Sequence, residues 1–298
     1  MKQIVTVALV VVLLACGGAN EDQAPIAVEA THSIEGPGVV AAPDGELIAY
    51  TVAGSGSPAL VFIHGWMCDQ SYWSEQVGPF SADHLVVTID LPGHGDSGMT
   101  RDDWDMVALG GDVRSVVEHL DLSEVIVIGH SMGGPVALET ARLMPDRVIG
   151  VIGVDALHDF SFRYEPGEFE AMAAAFEADF AGTMDQFVAS MFHDGADPDL
   201  IAAIRDNMAE GPPEVGVDLL VDFEDYDMVA AVNAIDVPIY SINADLWPTD
   251  VDANRAIHAD YDAVIVADVG HFLMMEAPEE FNQALEEVLE GIVGVEAQ

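Results

Sequence analysis

The segment that most restricts this 298-residue chain runs from Glu124 to Met144, EVIVIG-HS-MGGPVALETARLM. Its first part is a short Val/Ile run of strand type. Its last part is rich in helix formers. Only His130 and Ser131 separate the two, so the chain must reverse within a residue or two. Glycines at 129 and 133 bracket Ser131 and leave room for such a turn. A strand that ends in a sharp turn and continues as a helix is half of a β–α–β unit. That unit belongs to a sheet covered by helices. Its serine would stand exposed at the carboxyl edge of the sheet, above a helix N-terminus that favours developing negative charge.

The rest of the chain repeats the alternation. Short apolar runs occur at 38–42, 47–53, 59–63, 85–89, 125–128, 148–154, 239–242 and 263–266. Several are Val/Ile-rich at successive positions, the pattern of strands buried on both faces of a mostly parallel sheet. Pro43-Asp44-Gly45 between the first two indicates an antiparallel hairpin. Helical periodicity spans 105–120, 132–143 and 279–292. From about 157 to 236 there is no convincing strand. There Phe169, Met172, Phe176, Phe180 and Met184 recur at helical spacing, ahead of Phe187, Met191 and Phe192. About four short helices inserted into the α/β core are expected, with the stripe shared between their own core and an apolar pocket. The core then comprises 38–156 and 237–298.

The first 15 residues have a minimal basic start at Lys2 and an apolar run over 4–14, too short to span a bilayer as a helix. They match a secretory signal. Leu13-Leu14-Ala15-Cys16 resembles a bacterial lipobox. By that resemblance Cys16 becomes the lipidated N-terminus of a protein held at the extracytoplasmic side of the cell envelope, membrane-bound through the anchor alone. Plain secretion is the alternative. Residues 16–37 read as a flexible tether. Cys68 then has no intrachain partner and packs as a small hydrophobe.

Eight Lys+Arg against 53 Asp+Glu give a formal net charge of -45. Such a surface repels phosphate backbones and excludes nucleic-acid binding. It fits adaptation to high salt, where self-repulsion is screened.

Ser131 needs an adjacent base. His271, in DVGHF after the last apolar run, reaches the same sheet edge. The imidazole in turn needs a carboxylate. Asp245, after the run 239–242, is the favoured acid in the order Ser, acid, His. Asp155, after the run 148–154, is the competitor. For the oxyanion hole, backbone N–H groups of Trp66, after the strand ALVFI, and of Met132 would converge. His64, Trp247 and Phe272 are candidate pocket residues beside these positions. The sequence has no HExxH, no paired CxxC and no P-loop, so neither metal nor organic cofactor is implied.

Five segments, HGWMCDQSYW (64–73), DLPGHGDSG (90–98), GHSMGG (129–134), INADLWPT (242–249) and VGHFLMMEAPEEF (269–281), resemble the α/β-hydrolase family over about residues 38–298. The resemblance implies an eight-stranded, mostly parallel sheet with helices on both faces. It also implies a helical cap between strands six and seven, and a Ser131–Asp245–His271 triad. Relatives often carry G-x-x-D in the acid loop, where this chain has NADLWPT, so Asp155 stays open. Haloalkane dehalogenases and epoxide hydrolases of this fold use Asp at the nucleophile position and are disfavoured. The expected activity is hydrolysis of carboxylic esters of small or medium apolar substrates. A carbon–carbon bond hydrolase, a cofactor-free haloperoxidase or a non-catalytic binding protein are the alternatives.

Overall fold

The computed structural model describes residues 35–101, 104–163 and 165–296. The signal segment, Cys16 and nearly all of the tether lie outside the described residues.

Eight strands form one sheet: β1 (Gly36–Ala41), β2 (Leu47–Gly54), β3 (Ala59–Ile63), β4 (Leu85–Ile89), β5 (Val125–His130), β6 (Val148–Val154), β7 (Ile239–Ala244) and β8 (Tyr261–Val266). Their order is β1-β2-β4-β3-β5-β6-β7-β8. β2 runs antiparallel to both β1 and β4, and all other pairs are parallel. Burial follows position. The central strands β3 and β5 are buried at every residue, as their unbroken apolar sequences require. Edge strand β1 alternates half-buried and exposed residues. It begins at Gly36, ahead of the expected start at 38.

The helices are α1 (Ser74–Phe80), α2 (Met106–His119), α3 (Gly133–Leu143), α4 (Glu168–Ala178), α5 (Phe180–Ala189), α6 (Pro198–Glu210), α7 (Pro213–Asp225), α8 (Met228–Val232), α9 (Val251–Ile257), α10 (Leu273–Glu276) and α11 (Pro278–Glu296). α4 to α8 all fall between β6 and β7, five helices where about four were expected. Phe169 of α4 faces Phe223 of α7 at 5.4 Å between ring centroids, inside this helical layer. Phe176 and Phe187 instead meet Trp66 of the sheet domain edge-on at 5.1 and 5.4 Å. The aromatic stripe thus serves both the insertion's own core and its seam with the loop after β3.

Candidate active site

β5 ends at His130, and Ser131 makes the turn into α3 with a left-handed backbone (φ 52°). An L-residue there carries roughly 1–2 kcal/mol of strain. The turn is held by Ser131 N–H donating to the Val154 carbonyl at the end of β6 (3.0 Å), and by Gly134 N–H donating to the Ser131 carbonyl (2.9 Å). It is possible only because Gly129 lacks a side chain: a Cβ there would collide with the carbonyl oxygen of Gly133. Gly65 has the same role from the β3 side. A Cβ on it would lie 2.9 Å from His130 Nδ1 and 3.1 Å from Ser131 Cβ, so the β3 loop backbone lies directly against the serine.

His271 follows β8, and its loop is pinned at four points. Its N–H donates to the Met191 carbonyl (2.8 Å), and its carbonyl accepts from His130 Nε2 (3.0 Å). Glu276 of α10 accepts the N–H of Gly270 through Oε2 and that of Phe272 through Oε1, both at 3.1 Å. Burial raises the Glu276 carboxyl above the usual range, and the two N–H donors oppose that shift.

The His271 side chain is 8 % exposed, and its Nδ1 lies 2.6 Å from Oδ2 of Asp155, whose side chain is fully buried. The acid favoured from the sequence is therefore corrected: Asp155, and not Asp245, is the partner of His271. The register gives the reason. β6 and β7 are neighbours that end at the same edge, with Val154 level with Ile242. Asp155 is thus the first residue past the edge. It takes a left-handed backbone (φ 41°), donates its N–H to the Ile242 carbonyl, and accepts the Ala244 N–H through Oδ1 (2.9 Å). Asp245 lies further along β7's exit, 39 % exposed. There it accepts from Asp268 N–H (3.0 Å) and pairs with His193 Nε2 (3.1 Å).

Nδ1–H donated to Asp155 fixes the His271 tautomer and leaves Nε2 as the basic nitrogen. Ser131 and His271 line one narrow pocket. Gly65, Trp66, Cys68, His130, Phe187, Met191, Met208 and Phe272 complete its wall, around about 220 Å³ of empty space with the open mouth included. Of the three pocket candidates read from the sequence only Phe272 lines it, and the other two are corrected. His64 is buried beneath the sheet edge. Its Nδ1–H donates to the Gly65 carbonyl (2.8 Å) and its Nε2 accepts Leu91 N–H (2.9 Å), so both nitrogens are committed. Burial holds it neutral, lowered to about 4. Trp247 stands outside the pocket wall, edge-on to His271 at 5.4 Å. Met208 entered the wall without a local signal, because only the fold carries α6 over the serine, and Cys68 reaches it from the loop after β3. Burial raises the Cys68 thiol, so it contributes apolar surface and no thiolate. Met132 is buried at the N-cap of α3, where the first N–H groups of a helix have no intrahelical acceptor.

The model of the alpha/beta hydrolase family matches residues 60–284, and the chain belongs to that family. It is 23 % identical over 239 residues to 3-oxoadipate enol-lactonase 2 of Acinetobacter baylyi, covering 78 % of this chain and 88 % of that protein. It is 36 % identical over 99 residues to a dihydrolipoyllysine-residue acetyltransferase component of the acetoin cleaving system of Pseudomonas putida. That match takes in 33 % of this chain and 27 % of the relative, so the chain spans little more than a quarter of that protein. In structure it is similar to an esterase from Exiguobacterium antarcticum. The TM-score is 0.76 at 19 % identity, over 85 % of this chain and 98 % of that one, a likeness of fold.

Proposed function

We propose that the protein is a serine hydrolase of carboxylic esters with small acyl groups, working through Ser131, His271 and Asp155. The observation that carries this reading is the buried 2.6 Å contact of His271 Nδ1 with Asp155, beside a serine held in a strained turn in the same pocket. In the first half-reaction His271 Nε2 takes the Ser131 hydroxyl proton as Oγ bonds to the ester carbonyl carbon. The oxyanion is received by the N–H groups of Trp66 and Met132. When the C–O bond breaks, His271 returns the proton to the leaving alkoxide. Water then repeats the cycle on the acyl-enzyme and regenerates Ser131.

Pocket size supports a short acyl group. Clefts that take drug-sized ligands measure roughly 300–1,000 Å³, and the cavity beside Ser131, without its open mouth, holds about 30 Å³. Trp66, Phe187, Met208 and Phe272 make it apolar, and an uncharged ester also avoids the repulsive far field of a chain with net charge -45.

The test is hydrolysis of p-nitrophenyl esters from acetyl to dodecanoyl, beside Ser131→Ala, from low to multimolar salt. The expected result is an optimum between acetyl and butyryl, abolished in Ser131→Ala, with activity maintained or raised at high salt. Folded protein inactive on the whole series would overturn the ester reading. Residence at the cell envelope through lipidated Cys16 belongs to the same proposal. Metabolic labelling with a palmitate analogue, lost in Cys16→Ala, is its check.

A further inference from the structure

The acid of the site faces a second imidazole. His158, three residues past Asp155, turns its Nε2 toward Asp155 Oδ1 at 3.6 Å. That nitrogen is buried and has no hydrogen-bond partner within normal distance. Whether it carries a proton follows from its neighbours. Ala156 N–H donates to Asn243 Oδ1 (3.1 Å), so the Asn243 oxygen faces Ala156 and its NH2 group faces the other way. There the NH2 lies 3.0 Å from His158 Nδ1 and 2.9 Å from Thr249 Oγ1. Thr249 Oγ1 also lies 3.1 Å from His158 Nδ1. A proton on Nδ1 would face the Asn243 NH2, donor against donor, so the arrangement that pairs all three groups has His158 Nδ1 accepting, with the Thr249 hydroxyl turned to it. The neutral ring then carries its proton on Nε2, aimed at Asp155. Burial lowers His158 below the usual histidine range and keeps the ring neutral.

We infer that His158 is a positioning residue of the site, whose Nε2–H, set by Asn243, holds the Asp155 carboxylate from the side opposite His271. This rests on the serine-hydrolase reading. Oδ1 already accepts Ala244 N–H and has a second lone pair free. The contact is longer than a formed hydrogen bond, and such contacts tighten when charge develops in the site. As His271 becomes an imidazolium, Asp155 must keep its orientation while fully desolvated. A neutral N–H on its far oxygen fixes the carboxylate plane and takes up part of its charge.

The other titratable groups nearby are otherwise engaged. His130 lies tilted against His271 at 4.6 Å between centroids and is held neutral by burial. Glu276 is bonded to the His271 loop backbone. Asp245 pairs with His193. Asp250 caps α9 through Ala253 N–H, and its own N–H donates to the His158 carbonyl. Trp247 lies edge-on to both rings, 6.2 Å from His158.

The experiment uses wild type, His158→Phe, His158→Gln and Ser131→Ala on p-nitrophenyl acetate, with kcat and KM measured from pH 5 to 9. His158→Phe removes the donor. Asp155 then gives its charge undivided to the His271 imidazolium, so the acid limb of kcat/KM should move up by roughly half a unit. kcat should fall about tenfold with KM unchanged, because His158 does not touch substrate. His158→Gln, which can still present an N–H to Oδ1, should restore both. Independently of folding in the variants, the ¹⁵N shifts of His158 in the wild-type protein should report a protonated Nε2 and a bare Nδ1. An unmoved limb and kcat in His158→Phe, equal loss in the Phe and Gln variants, or a proton found on Nδ1 would each overturn the inference. With activity lost in Ser131→Ala, any of these leaves the hydrolase reading standing. Activity retained in Ser131→Ala refutes that reading and this inference with it.

Discussion

Asp155→Asn is the substitution on which the geometry makes its sharpest demand. The Asp155 side chain is fully buried, with Oδ2 at 2.6 Å from His271 Nδ1 and Oδ1 at 2.9 Å from Ala244 N. An asparagine amide has two orientations there, and neither serves. With its NH2 toward His271, Nδ1 must accept, the proton moves to Nε2, and the base is lost. With its oxygen toward His271, the NH2 confronts the Ala244 N–H, two donors face to face without water. In both cases the negative charge that steadies the imidazolium is gone. The wrong-tautomer variant of a serine protease loses about 10⁴-fold in kcat, and the same chemistry at this site predicts a loss of about 10³–10⁴-fold. That corresponds to about 4–5.5 kcal/mol in the activation barrier. Asp245→Asn removes only a solvent-screened pair with His193, both side chains 39 % exposed, and should stay within a few-fold of wild type. The assay is kcat on p-nitrophenyl acetate for both variants, with circular dichroism to verify folding. A folded Asp155→Asn variant within tenfold of wild type, or a folded Asp245→Asn variant losing a thousandfold, would refute the assignment of the acid.

Two further outcomes follow from groups that support the site. Gly129→Ala forces a methyl into the Gly133 carbonyl, backbone against backbone, and should cost about 3 kcal/mol. For a domain of this size that is a fall of about 6–12 °C in melting temperature by calorimetry, and an unchanged value would contradict the turn as described. His64 and His94 are held neutral by burial, lowered to about 4 and about 3. The unfolded chain protonates both near pH 6.5 and the folded chain resists until far lower, so their contribution is present above pH 6.5 and is lost as pH falls. At pH 5 the loss is about 2 kcal/mol for each. Neither ring should titrate above pH 5 in NMR of the folded protein, and titration of either near 6.5 would refute the burial argument.

Much of the fold was legible because the sheet's interior leaves its mark directly. Runs such as ALVFI and VIVIG are apolar at every position only where both faces are covered, and β3 and β5 are buried at every residue. The serine turn was legible because its glycines and its strand-to-helix change are local. The acid was not, since its identity depends on register between two parallel neighbours. Both β6 and β7 run out into an aspartate, Asp155 directly after Val154 and Asp245 three residues past its register partner Ile242, and periodicity assigns neither to His271. Left-handed backbone at Asp155 and the reach to Ala244 N–H appear only in three dimensions. His64 misled for a related reason: its neighbour Gly65 lies against the serine, while the imidazole itself turns down to Leu91. His158 carries no local signal at all, because what gives it a role is an asparagine 85 residues away that fixes its tautomer.

The central claim is that Ser131 is a nucleophile activated by His271. Its most direct test is intact-mass and peptide mass spectrometry of the protein treated with a fluorophosphonate, beside Ser131→Ala and His271→Ala. The predicted result is one adduct per chain, located on Ser131 and forming in step with the loss of esterase activity. No adduct should form in Ser131→Ala, and labelling should slow at least a hundredfold in His271→Ala, about the low end of what general-base assistance supplies. A folded wild-type protein that takes no label, or takes it at another residue while activity is lost, would contradict the claim.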